Sequence, residues 1–145
     1  MTMTPDVNVL VAASRSDHPH HAVARHWLEA ALDDAAGRGM LLPLMVVASF
    51  LRLVTHPKVF VTPTPIADAI SFVEALLAAP GVRMPEIGVE WHRLRESCLA
   101  RKLCANDIPD AWLAATVRQM GDHLASFDAD FRKLLKRSEF TLLRG

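Results

Sequence analysis

The sequence predicts an α/β domain with a mainly parallel central sheet flanked by helices, and three observations indicate this class. Short apolar runs that fit buried strands alternate along the chain with longer segments of helical periodicity. Parallel strands need long crossover connections, which are usually helices. The length of 145 residues suits one domain with one core. We therefore expect a single domain over residues 1–145.

Five segments are predicted as strands of this sheet. The first is Val7–Ala12, a short apolar run rich in valine that follows Asp6. Such a run is typical of a parallel strand that is buried on both faces. The other predicted strands are Met40–Leu42, Val82–Met84, His123–Phe127 and Phe140–Leu143, the last of them at an edge of the sheet.

Five segments are predicted as helices. From Pro19 to about Gly37, apolar residues repeat on one helical face, and Asp17 is the expected N-cap. Leu44–Val54 is apolar nearly all round, so we expect it to be largely buried. Glu86–Leu103 carries charges on most turns and is expected to face solvent. The remaining predicted helices are Pro65–Ala79 and Asp107–Met120.

Composition limits the classes of function. The chain has 16 basic and 16 acidic residues and a formal net charge of zero, so it lacks the overall positive field of many nucleic-acid binders. An enzyme with a local basic rim around a metal site stays possible. No run of 18 apolar residues is found, and no basic region precedes an apolar stretch near residue 1, so we expect neither a membrane span nor a secretory signal. Cys98 and Cys104 lack metal or redox spacing, so we expect a cytoplasmic chain with reduced cysteines.

Three aspartates lie at predicted element boundaries. Asp6 precedes the first predicted strand, Asp110 lies in the first turn of a predicted helix, and Asp128 ends a predicted strand. Carboxylates brought together by a fold repel each other unless a divalent cation holds them. A site made only of oxygen ligands suits Mg²⁺ or Mn²⁺ better than zinc. The alternative is that Asp107 or Asp110 caps a helix and that Asp128 caps the next one, since capping is a common role of aspartate. Spacing alone leaves both interpretations open.

A histidine-rich stretch raises a second metal hypothesis. His18, His20, His21 and His26 could indicate zinc, but His20 and His21 cannot share a helix face, and no Cys or Glu completes a zinc spacing. We favour a helix entry whose imidazoles are packed or exposed.

Two arginines and two tryptophans leave alternatives open. Arg52 lies in an apolar helix, where it either approaches the substrate phosphate or the acidic cluster, or pairs with a buried carboxylate. Arg15 is expected to be an ordinary exposed arginine, with RNA contact as the alternative. Trp27 is expected in the core, whereas Trp112, close to Asp110, is a candidate for substrate or partner contact.

Six strings of residues resemble the PIN-domain toxins of the VapC family, and they occur in the family's order over almost the whole chain. They are Pro5–Leu10, Asp17–His21 with the following Trp27 and Leu28, Phe50–Pro57, Pro80–Arg83, Asp110–Ala115 and Ser126–Phe131. The resemblance implies a single PIN domain that cleaves RNA in bacteria, is held inactive by a VapB-type antitoxin, and forms a homodimer.

The resemblance also implies roles for individual residues. In that family the aspartates at the positions of Asp6, Asp110 and Asp128 bind the metal. Asp130 belongs to the same motif and is a candidate outer participant, and Asp107, one helical turn before Asp110, could share its face. Many PIN domains carry a glutamate at the position of Ser49, and its absence here predicts weaker cation binding.

Two rival functions follow from these residues. Ser49 favours a catalytically weakened PIN fold, which would act as a binding module through an antitoxin complex on operator DNA. A phosphatase with an aspartyl nucleophile is disfavoured, because Asp6-Val7-Asn8 lacks the second aspartate of the usual D-x-D arrangement.

Overall fold

The computed structural model describes residues 2–145, and its centre is a five-stranded sheet. The strands are β1 (Met3–Pro5), β2 (Met40–Leu41), β3 (Val82–Arg83), β4 (His123–Ser126) and β5 (Phe140–Leu142). Their order is β3-β2-β1-β4-β5 and every pairing is parallel. The predicted α/β class is confirmed, and β5 occupies the edge predicted for it.

Six helices flank the sheet. They are α1 (Val7–Ser14), α2 (His21–Arg38), α3 (Leu44–Val54), α4 (Ile66–Ala78), α5 (Trp91–Arg101) and α6 (Asp107–Gln119), with 3₁₀ turns at Ala129–Lys133 and Arg137–Glu139. The bounds of α3 are those predicted. α5 begins at Trp91 rather than at Glu86, and it contributes no buried residue, as its charges predicted.

The prediction of a strand at Val7–Ala12 is wrong, because this segment forms most of α1. The first strand lies one step earlier, at β1, and Asp6 caps the helix by accepting a hydrogen bond from the Val7 backbone N–H at 2.7 Å. α1 buries five consecutive residues, from Val9 to Ala13. A helix buried on all sides and a buried strand give the same apolar run, so the run alone does not separate them.

Two predictions about the α1–α2 connection are also wrong. Asp17 does not cap α2, whose N-cap position is His20. Asp17 instead accepts hydrogen bonds from Arg15, which is only 8% exposed rather than an ordinary surface residue. Arg15 also donates to the Thr62 carbonyl at 2.9 Å and stacks on the Phe60 ring. It therefore ties the end of α1 to the α3–α4 loop.

α3 is buried on one face only, which corrects the expectation that it is largely buried. Val46, Val47, Phe50 and Val54 are buried in the core, whereas Leu44 is 46% exposed. The buried face packs against α1 and α4. The other face is free to line surface cavities, and this places part of α3 beside the site.

The core is continuous from α1 across the sheet to α6 and includes Leu10, Phe50, Val117 and Leu124. Trp27 packs against it, as predicted. Within residues 2–145, none of the helices is long and apolar enough to cross a bilayer.

Candidate active site

The site lies at the carboxyl ends of β1 and β4. β1 leads on through α1 and α2 to β2 on one side, while β4 lies on its other side, so the strand order reverses between them. In open parallel sheets, ligands bind in the crevice outside the strand ends at such a switch point. Asp6 follows β1, and Asp128 follows β4 after Phe127.

Asp6 is held firmly in this crevice. Its side chain is 8% exposed, and one carboxylate oxygen caps α1 at Val7. The other oxygen accepts a hydrogen bond from the Ser126 hydroxyl at 2.6 Å. The backbone N–H of Asp6 donates to the Ala125 carbonyl at 2.9 Å. Both oxygens therefore have partners before any ligand binds.

Ser126 connects Asp6 to the rest of the site. This residue is fully buried, and its hydroxyl oxygen accepts hydrogen bonds from the Asn8 side chain at 3.1 Å and from the Asp128 backbone N–H at 2.9 Å. The Asn8 side-chain oxygen in turn accepts from the Phe127 backbone N–H at 3.3 Å. This network fixes the strand ends relative to each other.

The third aspartate of the site, Asp110, belongs to α6. It lies in the first turn of α6, where the helix dipole favours a negative charge. Burial and, to a lesser extent, the negative charges of Asp128 and Asp6 together raise its pKa to about 6. Burial also raises the pKa of Asp6, whereas the Ser126 hydrogen bond lowers it. The three predicted aspartates are therefore close enough to interact electrostatically.

A cleft of about 330 Å³ exposes two of these carboxylates together. We call it the acidic cleft. It is lined by Asp6, Asn8, His18, Ser49, Arg52 and Asp110, among others. Arg52 is an exposed residue in the wall of this cleft, and within residues 2–145 it makes no ion pair, so the predicted pairing with a buried carboxylate is not formed.

Asp128 has a second role besides its electrostatic one. Its side chain accepts a hydrogen bond from the Asp130 backbone N–H at 2.9 Å and so caps the 3₁₀ turn that follows. The capping alternative is therefore correct for Asp128, and Asp6 caps α1 although no cap was predicted there. Capping does not remove either residue from the site. Among residues 2–145, no three His, Cys, Asp or Glu side chains form a ready-made metal cage.

Comparison with known proteins identifies the family. The PIN domain family matches residues 3–136. Ribonuclease VapC25 of Mycobacterium tuberculosis is 41% identical over 134 residues, covering 88% of this chain and 89% of the relative. This chain belongs to the VapC family of PIN-domain proteins.

A second relative agrees with the family, and a solved structure shares the fold. Ribonuclease VapC31 of Mycobacterium tuberculosis is 42% identical over 136 residues, which cover 88% of this chain and 89% of VapC31. The solved structure of VapBC2 from Rickettsia felis, bound to a promoter DNA fragment, shares the fold with a TM-score of 0.68. That match covers 99% of this chain and 100% of the other at 15% identity.

The structure of this VapC-family chain also contains site residues that the sequence analysis missed. Ser126 and Asn8 were not identified as site residues, although they organise Asp6 and Asp128. The sequence does carry a signal for both residues. Ser126 ends β4 two positions before Asp128, and Asn8 lies two positions after Asp6. Neither residue type is informative without the knowledge that β1 and β4 are neighbours.

A second cleft, of about 300 Å³, lies on the other side of Asp110. Asp107 and Asp130 line it together with the basic residues Arg101 and Lys133. Lys133 lies 3.9 Å from an Asp130 oxygen and both side chains are largely exposed. Asp107 and Asp130 thus share the second cleft with Asp110, not the acidic cleft.

An apolar pocket of about 350 Å³ adjoins the acidic cleft, with Ser49 in the wall of both. Its floor contains Glu90, which is 4% exposed and accepts hydrogen bonds from the Gly88 N–H at 3.0 Å and from the Trp112 indole N–H at 2.9 Å. The remaining lining is mainly apolar and includes Pro43, Leu44, Met45 and Ile87.

Proposed function

We propose that this chain is a Mg²⁺-dependent endoribonuclease that hydrolyses phosphodiester bonds of cytoplasmic RNA, with Mn²⁺ able to replace Mg²⁺. Asp6, Asp110 and Asp128 are the proposed metal-binding and catalytic residues. The observation that carries the proposal is the acidic cleft, in which Asp6 and Asp110 lie together and mutual repulsion contributes to the raised pKa of Asp110. A divalent cation would remove that repulsion. The relatives VapC25 and VapC31 are named ribonucleases.

The residues present fit such an ion. Mg²⁺ is usually bound through one or two carboxylates and keeps several waters, so it does not need a cage made entirely of protein ligands. Asp6 and Asp110 supply these carboxylates, and Asp128 supplies further negative charge. When bound, the cation provides positive charge beside the scissile phosphate and makes water a stronger nucleophile.

The chain's own side chains would position the reactants. Ser126 and the Val7 N–H hold both oxygens of Asp6, so this carboxylate costs little entropy to organise. Asp128 completes the cluster or orients the attacking water. Arg52 lies in the wall of the same cleft and makes no ion pair within residues 2–145. Its guanidinium is available for a phosphate oxygen of the RNA.

The first experiment is cleavage of an RNA oligonucleotide with Mg²⁺, with Mn²⁺, and with excess EDTA. We expect cleavage with either cation and none in EDTA, with recovery when Mg²⁺ is added back. Unchanged cleavage in EDTA would contradict the metal-dependent mechanism.

We propose a VapB-type antitoxin as the partner that inhibits this activity. The apolar pocket continues into the acidic cleft at Ser49, and Leu44 and Ile87 expose apolar surface at its rim. An amphipathic segment could place apolar side chains in the pocket and an Arg or Lys among the carboxylates. Titration of RNA cleavage with the co-purified product of the adjacent upstream gene tests this. Inhibition should weaken as Mg²⁺ rises, and inhibition independent of Mg²⁺ would place the partner at the RNA-binding rim instead.

We also propose that the chain forms a homodimer. The exposed apolar residues beside the pocket and on α5, among them Ile87, Trp91 and Leu99, provide surface for self-association. Sedimentation analysis of the purified chain alone measures its oligomeric state. A monomer at all concentrations would contradict the proposed homodimer.

A second candidate function is a weakened PIN fold that binds its antitoxin and operator DNA without cleaving RNA. Ser49 favours this candidate, because it lines the acidic cleft but supplies no charge. The two candidates differ in one measurement, since only the enzyme releases RNA fragments in Mg²⁺ when the partner is absent. Operator binding by the complex, together with no cleavage by the free chain, would favour the binding module.

A further inference from the structure

His18 lines the acidic cleft and has no role in the site described so far. It belongs to a histidine-rich turn whose other members pack against protein. The His20 ring stacks on Phe127 with a centroid distance of 4.9 Å, and the His21 Nδ1 lies 2.9 Å from the Ala12 carbonyl. His18 is the histidine of this turn that shares a wall with the carboxylates.

One hydrogen bond determines which nitrogen of His18 carries the proton. The His20 backbone N–H donates to the His18 Nδ1 at 3.0 Å. A nitrogen that accepts this bond has no hydrogen, so neutral His18 must carry its proton on Nε2. Burial lowers the pKa of His18 below its usual 6.5, which favours the neutral form near pH 7. Within residues 2–145, no acceptor pairs with Nε2.

The backbone of the turn fixes the position of this donor. The His18 N–H donates to the Arg15 carbonyl at 3.1 Å, and the His18 carbonyl accepts from the His21 N–H at 3.1 Å. Arg15 is itself buried and bonded to Asp17. A donor held in this way loses little freedom when it binds a ligand, so its hydrogen bond retains most of its free energy.

We propose that His18 is a substrate-positioning residue, whose Nε2–H donates a hydrogen bond to a non-bridging phosphate oxygen of an RNA strand in the acidic cleft. The inference rests on the proposed ribonuclease function. A phosphate is the acceptor that such a cleft would receive, and Arg52 provides a second donor in its wall. A neutral donor differs from Arg52 in that it adds no charge that competes with a cation for Asp6 and Asp110.

The test compares two amide variants by steady-state kinetics on one fluorogenic RNA oligonucleotide in Mg²⁺. The amide nitrogen of Gln lies near the position of Nε2, whereas that of Asn lies near the position of Nδ1. We expect His18→Asn to raise KM roughly tenfold or more, the usual effect of losing a hydrogen bond to a charged group, with kcat little changed. His18→Gln should recover most of the affinity.

The matched control is His26→Asn, because His26 is an exposed histidine of α2 outside the cleft lining. It should keep the wild-type KM. Unchanged KM in His18→Asn would overturn the proposal. Equal loss in folded Asn and Gln variants would also overturn it, because a structural role does not distinguish the two amides. If His18→Asn weakens only the binding of an antitoxin, the contact belongs to the partner and the proposal fails.

An NMR measurement on the wild-type chain keeps the proposal testable if the variants do not fold. Imidazole ¹⁵N spectra should place the His18 proton on Nε2 and show a shift of that nitrogen on titration with the RNA oligonucleotide. A proton on Nδ1, or no shift at saturating RNA, would overturn the proposal.

Failure of the proposed function is distinguishable. Wild-type chain that does not cleave the RNA in Mg²⁺ contradicts the ribonuclease, whereas wild-type cleavage with a normal KM in His18→Asn contradicts only the role of His18.

Discussion

The two carboxylates that line the acidic cleft differ in how they are held. Asp6 is buried, and both of its oxygens accept hydrogen bonds, from the Val7 N–H and from the Ser126 hydroxyl. Asp110 is half-buried, and within residues 2–145 no hydrogen bond holds its carboxylate. Its pKa rises to about 6 through burial and through the charges of its neighbours.

The difference separates a carboxylate that the protein itself holds in place from one that no protein group holds within residues 2–145. The strands and Ser126 organise Asp6 without any ion. Asp110 instead carries unfavourable free energy that a cation could remove, because opposite charge nearby stabilises an ionised carboxylate. Such a division links stability to ligand binding.

The largest effect should come from deleting either charge. Asp6→Asn and Asp110→Asn keep the side-chain shape, so each should remain folded while RNA cleavage in Mg²⁺ falls by more than about a hundredfold. This loss exceeds that typical of residues that only orient a metal ligand. Asp33→Asn, an exposed change on α2, is the control and should cleave normally. Near-normal cleavage by either variant would remove that aspartate from the site.

The next effect should come from Ser126→Ala, which removes the partner of the held carboxylate. Asp6, Asn8 and the Asp128 N–H would lose a buried hydrogen-bond partner, at a cost of about 1–3 kcal/mol in the free energy of unfolding. Cleavage should fall roughly ten- to a hundredfold, as for other residues that orient a ligand. Urea denaturation and kinetics measure both effects.

Ser71→Ala is the control for that change, since the Ser71 hydroxyl bonds only to a carbonyl of its own helix, on the exposed face of α4. If the free energy of unfolding of Ser126→Ala is no lower than that of Ser71→Ala, the Ser126 hydrogen bonds do not hold Asp6. Asp6 and Asp110 would then not differ in how firmly the protein holds them.

A smaller effect should come from adding a carboxylate. Ser49 lines the acidic cleft, so Ser49→Glu should place a further negative charge near Asp110 and lower the Mg²⁺ concentration for half-maximal cleavage, by roughly tenfold, because ligand charge tunes cation affinity. Ala48→Glu adds the same charge to the apolar pocket beside the cleft and should not shift this concentration. Equal behaviour of the two variants would show that residue 49 does not reach the ion.

The smallest effect concerns stability in EDTA. The pKa of Asp110 is raised from 3.8 to about 6 in the folded chain, so the folded state holds this proton more tightly than the unfolded state. Stability should therefore fall as pH rises between these two values, and the full cost is present above about 6. Asp110→Asn should melt a few degrees higher than wild type at pH 8 and equally at pH 3. A variant that melts no higher at pH 8 would contradict the repulsion.

The sequence predicts much of this fold, because helix boundaries depend on local signals. Thr55-His56-Pro57 ends α3, and Pro80-Gly81 follows α4. The failures occurred where tertiary burial decides. The apolar run Val7–Ala12 fits a buried strand and a buried helix equally well. In the structure it is a helix that is capped by Asp6 and packed between α2 and α3.

In the candidate site, too, the residues at element boundaries were predictable and those that depend on tertiary contacts were not. Asp6, Asp110 and Asp128 are visible in the sequence because they lie at element boundaries, and the structure brings their charges together. Ser126 was not identified because its role depends on β4 lying beside β1, a pairing between residues far apart in the chain. Arg15 was misjudged for a similar reason, since its partners Thr62 and Thr64 belong to a distant loop.

We propose that a divalent cation binds between Asp6, whose oxygens are both hydrogen-bonded, and Asp110, whose carboxylate has no hydrogen bond within residues 2–145. A crystal of the chain soaked in Mn²⁺ tests it most directly, because anomalous scattering locates Mn²⁺ without any assumption about its ligands. We expect an anomalous peak in the acidic cleft within coordination distance of both carboxylates, and none there in crystals of Asp110→Asn. An empty cleft at saturating Mn²⁺, or a peak only at the histidine-rich turn, would contradict it.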